Sequence, residues 1–135
     1  MPGVMADNDV ERQFQVLLGI MQGDALAEFW SDACLSVCTF ESLGLPRDLP
    51  DRDLWQICQK NEIVLVTGNR NQQGPASLEG AIRELNTPQS LPVITLANPR
   101  RVLDNKAYAQ HTAEKLLVYL VFRDKLRGSG RLYVP

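Results

Sequence analysis

Apolar and polar positions along the chain fall into short blocks that switch between the period of a strand and that of a helix. The clearest block is Ile63-Val64-Leu65-Val66, followed by Thr67 and Gly68. An unbroken apolar run rich in β-branched side chains predicts a strand covered on both faces. Polar residues come next, Asn69-Arg70-Asn71-Gln72-Gln73, and then Gly74-Pro75. Pro75 suits a first helical position. Leu78, Ala81, Ile82 and Leu85 recur at helical spacing, which predicts a helix from Pro75 to Leu85. This strand, loop and helix unit organises the reading of the rest.

Before it, Phe14 to Ile20 reads as a first strand, Met21 to Asp24 as a turn, Ala25 to Trp30 as a short helix and Ser36 to Phe40 as a second strand. Met1 to Arg12 is expected to be a flexible start. A Gly- and Pro-containing connection, Glu41 to Pro50, leads into a helix from Asp51 to Lys60 whose core side is Leu54, Trp55, Ile57 and Cys58. Asp48 and Asp51 are placed to cap its start and to meet the positive end of its dipole. After the central unit, Val93 to Leu96 predicts a strand. Lys106 to Lys125 predicts the longest helix, with a stripe of Ala109, Ala113, Leu116, Leu117, Leu120 and Val121. Gly128-Ser129-Gly130 is expected to be a flexible joint, and Arg131 to Pro135 either a last strand or an extended tail.

Strands alternating with helices predict an α/β fold around a parallel sheet of about four or five strands. Ligands of open α/β sheets bind at the carboxyl ends of the strands, so the Asn69-Arg70-Asn71 loop becomes the place to seek function. The length of 135 residues predicts one domain over 1–135 with room for a real core.

Composition adds exclusions. A net charge of −2 offers no overall electrostatic case for nucleic acid. The three cysteines have no metal-like spacing, and they are expected to be buried free thiols in a reducing cytoplasm. No apolar run approaches the roughly 20 residues that a membrane span needs, so no membrane association is expected. Met1 to Glu11 lacks the cationic start and apolar core of a signal peptide.

Four stretches carry a resemblance: Leu45-Pro46-Arg47-Asp48-Leu49-Pro50-Asp51-Arg52, Thr67-Gly68-Asn69-Arg70-Asn71, Ser77-Leu78-Glu79 and Gly130-Arg131-Leu132-Tyr133-Val134-Pro135. Together they resemble a compact bacterial branch, frequent in cyanobacteria and largely uncharacterised, of the PIN-like superfamily of small α/β nucleases. The resemblance implies a three-layer fold with a mainly parallel sheet. It also implies a cleft where carboxylates hold one or two divalent ions, Mg²⁺ or Mn²⁺, against a phosphodiester. The chain departs from that pattern at three positions. Gly19 matches the acid that ends the first strand, and Asn69 and Asn71 match acids after the central strand. A neutral amide is a weaker ligand for a hard cation than a carboxylate.

The leading expectation is therefore a catalytically weak or silent PIN-like domain that binds nucleic acid, a protein partner or an anionic ligand at the strand ends. The alternative is a metal-dependent ribonuclease using Asp51, also the candidate metal ligand, with Asp53 or Asp24. Asp51 and Asp53 serve equally as first-turn acids of a helix. Asn69 and Asn71 serve equally as turn residues. Arg70 and Arg52 are candidate clamps for an anion. Ser77 and Glu79, at the next helix start, are candidates for the same cleft or for capping and dipole roles. A closed symmetric dimer is expected as the oligomer, with apolar surface near Trp30 and Phe122 as the motive.

Overall fold

Residues 2–68 and 77–135 are described by the computed structural model of the chain. Five strands form one parallel sheet: β1 (Gly3–Ala6), β2 (Ser36–Cys38), β3 (Ile63–Gly68), β4 (Val93–Leu96) and β5 (Arg131–Val134), in the order β2-β1-β3-β4-β5. Parallel neighbours need crossovers, and helices supply them. They are α1 (Glu11–Met21), α2 (Ala27–Ala33), α3 (Phe40–Leu43), α4 (Asp51–Lys60), α5 (Leu78–Leu85), α6 (Pro99–Asp104) and α7 (Lys106–Val121).

Strand side chains alternate between two cores, which is why the strands read as unbroken apolar runs. Val4, Ala6, Val64, Val66, Ile94, Leu96 and Val134 face one core, packed with Leu17 and Leu18 of α1, Val102 of α6 and Leu116, Leu117 and Leu120 of α7. Met5, Ile63, Leu65 and Val93 face the other, with Phe40 of α3, Leu54, Trp55 and Cys58 of α4, and Leu78 and Ala81 of α5. The result is a three-layer α/β fold. No described helix is long and apolar enough to cross a membrane.

The first strand is not where the apolar pattern puts it. Phe14 to Ile20 lies within α1, whose buried residues Phe14, Leu17, Leu18 and Met21 keep helical spacing. A short apolar run cannot by itself separate a strand from a buried helix segment. The strand is Gly3–Ala6, in the stretch expected to be a flexible start, and all four of its residues are buried. Gly19 is therefore an exposed helical residue and not the end of a strand. Phe40 likewise leaves the expected second strand and begins α3, behind a capping box formed by Thr39 and Ser42.

Elsewhere the differences are smaller. The long helix ends at Val121, and Arg123–Leu126 is a 3-10 turn. Arg131–Val134 is a strand paired in register with Val93–Leu96. Gly128-Ser129-Gly130 is a bonded turn, with Gly128 N–H on the Ser90 carbonyl at 2.8 Å and Val93 N–H on the Gly130 carbonyl at 2.9 Å. Both glycines have positive φ, 88° and 80°, which explains their identity. Of the three cysteines, Cys58 alone is buried; Cys38 is half-buried and Cys34 is exposed.

The placement of Gly19 has a direct test. A Cβ added there meets nothing within 4 Å. Gly19→Ala should raise unfolding stability by about 0.5–1 kcal/mol, as alanine gains over glycine within a helix. Urea denaturation measures this, and a loss of stability would contradict a helix over Glu11–Met21.

Candidate functional site

The strand order creates one special place. From β1 the chain steps outward to β2, then returns past β1 to β3, with α1 and α2 on one face and α3 and α4 on the other. Between β1 and β3 the connections leave in opposite directions, which opens a crevice at the carboxyl ends of these strands.

At that edge β1 runs directly into Asp7-Asn8-Asp9. The Asp7 N–H still belongs to the ladder, donating to the Val66 carbonyl at 2.8 Å. Its carboxylate accepts the Asn8 N–H at 2.7 Å and so caps the 3-10 turn Asn8–Val10. Asp7 is only 4% exposed. Asn8 reaches outward, its Nδ2 donating to the Arg47 carbonyl at 2.7 Å, which ties the connection before α4 to this edge. Arg47 in turn pairs with Glu11 and Glu41.

Asp9 lies against the end of β3. A Cβ built on Gly68 would stand 2.6 Å from Asp9 Oδ2 and 3.1 Å from Val10 Cγ1. Glycine is thus the residue that lets the end of β3 approach the carboxylate so closely. Asp7 shares its side of the sheet with Cys58, whose thiol is pushed up to about 12 by burial first, and then by Cys38 and Asp7.

α4 runs back across this face and turns into β3 at Asn61-Glu62, so its first turn lies at the edge where β3 ends. That turn carries Asp51 and Arg52, both half-buried, and Asp53, which is exposed. No side chain caps α4; Pro50 holds the N-cap position, and Asp51 and Asp53 are first-turn acids favoured by the dipole. Arg52 also bonds Glu84 in the last turn of α5 at 2.5 Å.

Asp24 is carried elsewhere. It is exposed in the turn after α1. The helix itself is about 16 Å long at 1.5 Å per residue, and it leads away from the end of β1.

Asn69, Arg70 and Asn71 lie outside the described residues, as does Pro75. Ser77 is buried and caps α5, accepting the Gly80 N–H at 3.1 Å. Glu79, in the first turn of α5, pairs with Arg131 of β5 at 3.2 Å. Arg131 also donates to Thr95 Oγ1 at 3.2 Å, and Thr95 Oγ1 lies 3.2 Å from Thr67 Oγ1. Thr67 and Thr95 are buried, so this is an interior polar chain from β3 to the first turn of α5.

Asp7, Asp9, Thr95 and Arg131 carry no site role on the sequence pattern alone. A first strand placed at Phe14 to Ile20 hides Asp7 and Asp9, although the Asp-Asn-Asp run after Val4-Met5-Ala6 is a usable signal. Asp7, and not Gly19, is the residue that follows the first strand the chain actually forms.

Carboxylates suit hard cations such as Mg²⁺ and Mn²⁺. Among the described residues, however, no group of three or more His, Cys, Asp or Glu side chains could hold a metal ion. The described donors alone do not fit a resident metal.

No family model, no curated protein and no solved structure matches this chain.

The contact between Asp9 and Gly68 predicts a coupled pair. Gly68→Ala should cost about 1–3 kcal/mol, because the added carbon must displace Asp9 and press on Val10. In the Asp9→Ala background the same change should cost clearly less. A double-mutant cycle measured by urea unfolding reads this coupling, and additive costs would show that Asp9 does not rest on the end of β3.

Proposed function

We propose that this chain is a PIN-like domain that binds single-stranded nucleic acid at the crevice between β1 and β3 and hydrolyses it slowly or not at all. The observation that carries the reading is the acidic end of β1, Asp7-Asn8-Asp9, set against the glycine that ends β3. Carboxylates at a switch point attract divalent cations from solution, and those cations offset the repulsion between the acids and a phosphate. Asp51 and Arg52 belong to the same edge through the first turn of α4. Arg70, following β3 in sequence, adds a donor suited to phosphate. The neutral amides Asn69 and Asn71 stand where an active relative would offer acids. This limits the negative charge available to hold a metal and lower the pKa of its bound water.

A second reading, a metal-dependent ribonuclease, is favoured by Asp7. Its presence removes one of the departures from the nuclease pattern and leaves the two amides. In that reading Asp7 is the acid that ends the first strand and Asp24 is not needed, although Asp7, Asp9 and Asp51 do not by themselves form a metal-holding group among the described residues.

One experiment separates the two. A labelled single-stranded RNA is titrated with the protein in EDTA and in Mn²⁺, and the same samples are run on a denaturing gel. The proposal expects Mn²⁺ to tighten binding about tenfold, with no cleavage above background. That gain should be lost in Asp7→Asn/Asp9→Asn. Asparagine caps a turn as well as aspartate, so the double variant should remain folded. Mn²⁺-dependent cleavage abolished by Asp7→Asn would establish the ribonuclease instead. Absence of both binding and cleavage would overturn both readings.

A further inference from the structure

Among the described residues the exposed large hydrophobics include Val37 and Tyr133 on the edge strands β2 and β5; the other five lie on or at the end of helices of one layer. Val16 of α1, Phe29 of α2, Leu103 of α6 and Val118 of α7, with Phe122 at its end, all lie on the layer formed by α1, α2, α6 and α7. Among the described residues, the layer of α3, α4 and α5 exposes none. Phe29 is 58% exposed, Val118 51% and Phe122 48%. Past Lys115, α7 carries no charged residue: Leu116, Leu117 and Leu120 fill the core while Val118 and Phe122 face outward. Soluble monomers seldom leave large side chains of this kind clustered in water.

α2 and the end of α7 are neighbours. Arg123 donates to the Ala33 carbonyl at 2.9 Å and to the Leu120 carbonyl at 2.8 Å. The two elements differ in charge and in shape. α2 presents a shallow, open hollow lined by Ala27, Glu28, Ser31 and Asp32. α7 and the turn after it present Val118 and Phe122 flanked by Lys115 and Lys125, with Lys125 Nζ 5.5 Å from the Phe122 ring. The acids on this second surface are engaged locally: Glu114 with Gln110, and Asp124 with Arg127. This side of α2 is thus acidic, with Phe29 exposed beside it, while the end of α7 is large and basic, and both have one-turn spacing.

We propose that the partner for this face is a second copy of the chain, in a symmetric dimer. The α7 end of each protomer sits in the α2 hollow of the other. A two-fold axis turns one pair of unlike surfaces into two equivalent contacts. Val118 and Phe122 lose their exposure, and Lys115 and Lys125 meet Glu28 and Asp32. The face belongs to the outer surface of one helical layer, so the carboxyl-end edge of the sheet stays open in both copies. The proposal does not depend on the function of that edge.

The test uses charge reversal and mixing, with sedimentation velocity from low to tens of micromolar protein as the readout. The unmodified chain should dimerise, and Val118→Asp should be monomeric over the same range with an unchanged circular dichroism spectrum. Glu28→Lys/Asp32→Lys and Lys115→Glu/Lys125→Glu should each weaken self-association about tenfold or more, because like charges then oppose each other. An equimolar mixture of the two reversed proteins should recover dimers, since one of its two contacts pairs opposite signs in reversed order and the other is unchanged. Recovery on mixing cannot come from misfolded chains. A monomeric unmodified protein over the whole range would overturn the proposal. So would a dimer indifferent to both reversals.

Discussion

The pairing of β1 with β3 is the constraint on which the remaining structure depends. Gly3, Val4, Met5 and Ala6 pair in register with Ile63, Val64, Leu65 and Val66. The alternating side chains of these two strands supply the middle of both cores: Val4, Ala6, Val64 and Val66 on one side, Met5, Ile63 and Leu65 on the other. A one-residue slip would send every side chain of β1 to the wrong core. Because β1 is so short, the turn at its carboxyl end holds its register. The Asp7 N–H extends the ladder to Val66, and Asp9 closes against Gly68. The residues that could act on a ligand are therefore also those that end the pairing in the right place.

A second polar arrangement fixes the other side of the same edge. Thr67 and Thr95 occupy facing, buried positions where apolar residues would pack without needing partners. Their hydroxyls are satisfied by each other and by Arg131, which is bound to Glu79. Buried polar groups carry a cost unless bonded, so this chain fixes β5 and the first turn of α5 in one relative position. Arg131 Nε is buried without a partner among the described residues, as is Trp55 Nε1. The C-terminal Gly130-to-Pro135 stretch, legible only as a strand or tail, thus acts as a strut beneath the start of α5.

Legibility in the sequence tracks the strength of the physical signal. β3 and β4 are legible because both their faces are covered and their residues are β-branched. α4 and α5 are legible from helical spacing, and the first-turn acids of α4 from their place before an apolar run. β1 escapes because a strand of four residues gives no period, while the longer run inside α1 attracts the strand assignment. That single displacement moves the expected strand end from Asp7 to Gly19 and hides two carboxylates. The Asp9–Gly68 approach is beyond reach, since it joins residues distant in sequence that meet only through parallel pairing. The same holds for the Thr67–Thr95–Arg131–Glu79 chain, which spans β3, β4, β5 and α5.

Asp7 combines a capping role with near-complete burial. As the cap of a 3-10 turn it does what asparagine does equally well. Asparagine would do so without burying a charge, and burying a carboxylate costs far more than burying an amide. The N–H of Asn8 and the positive start of the turn recover part of that cost. The nearby Cys58 thiol is pushed up mainly by its own burial, with smaller contributions from Cys38 and Asp7. Asp7 is thus nearly enclosed at the switch point of a parallel sheet, two residues from a second carboxylate.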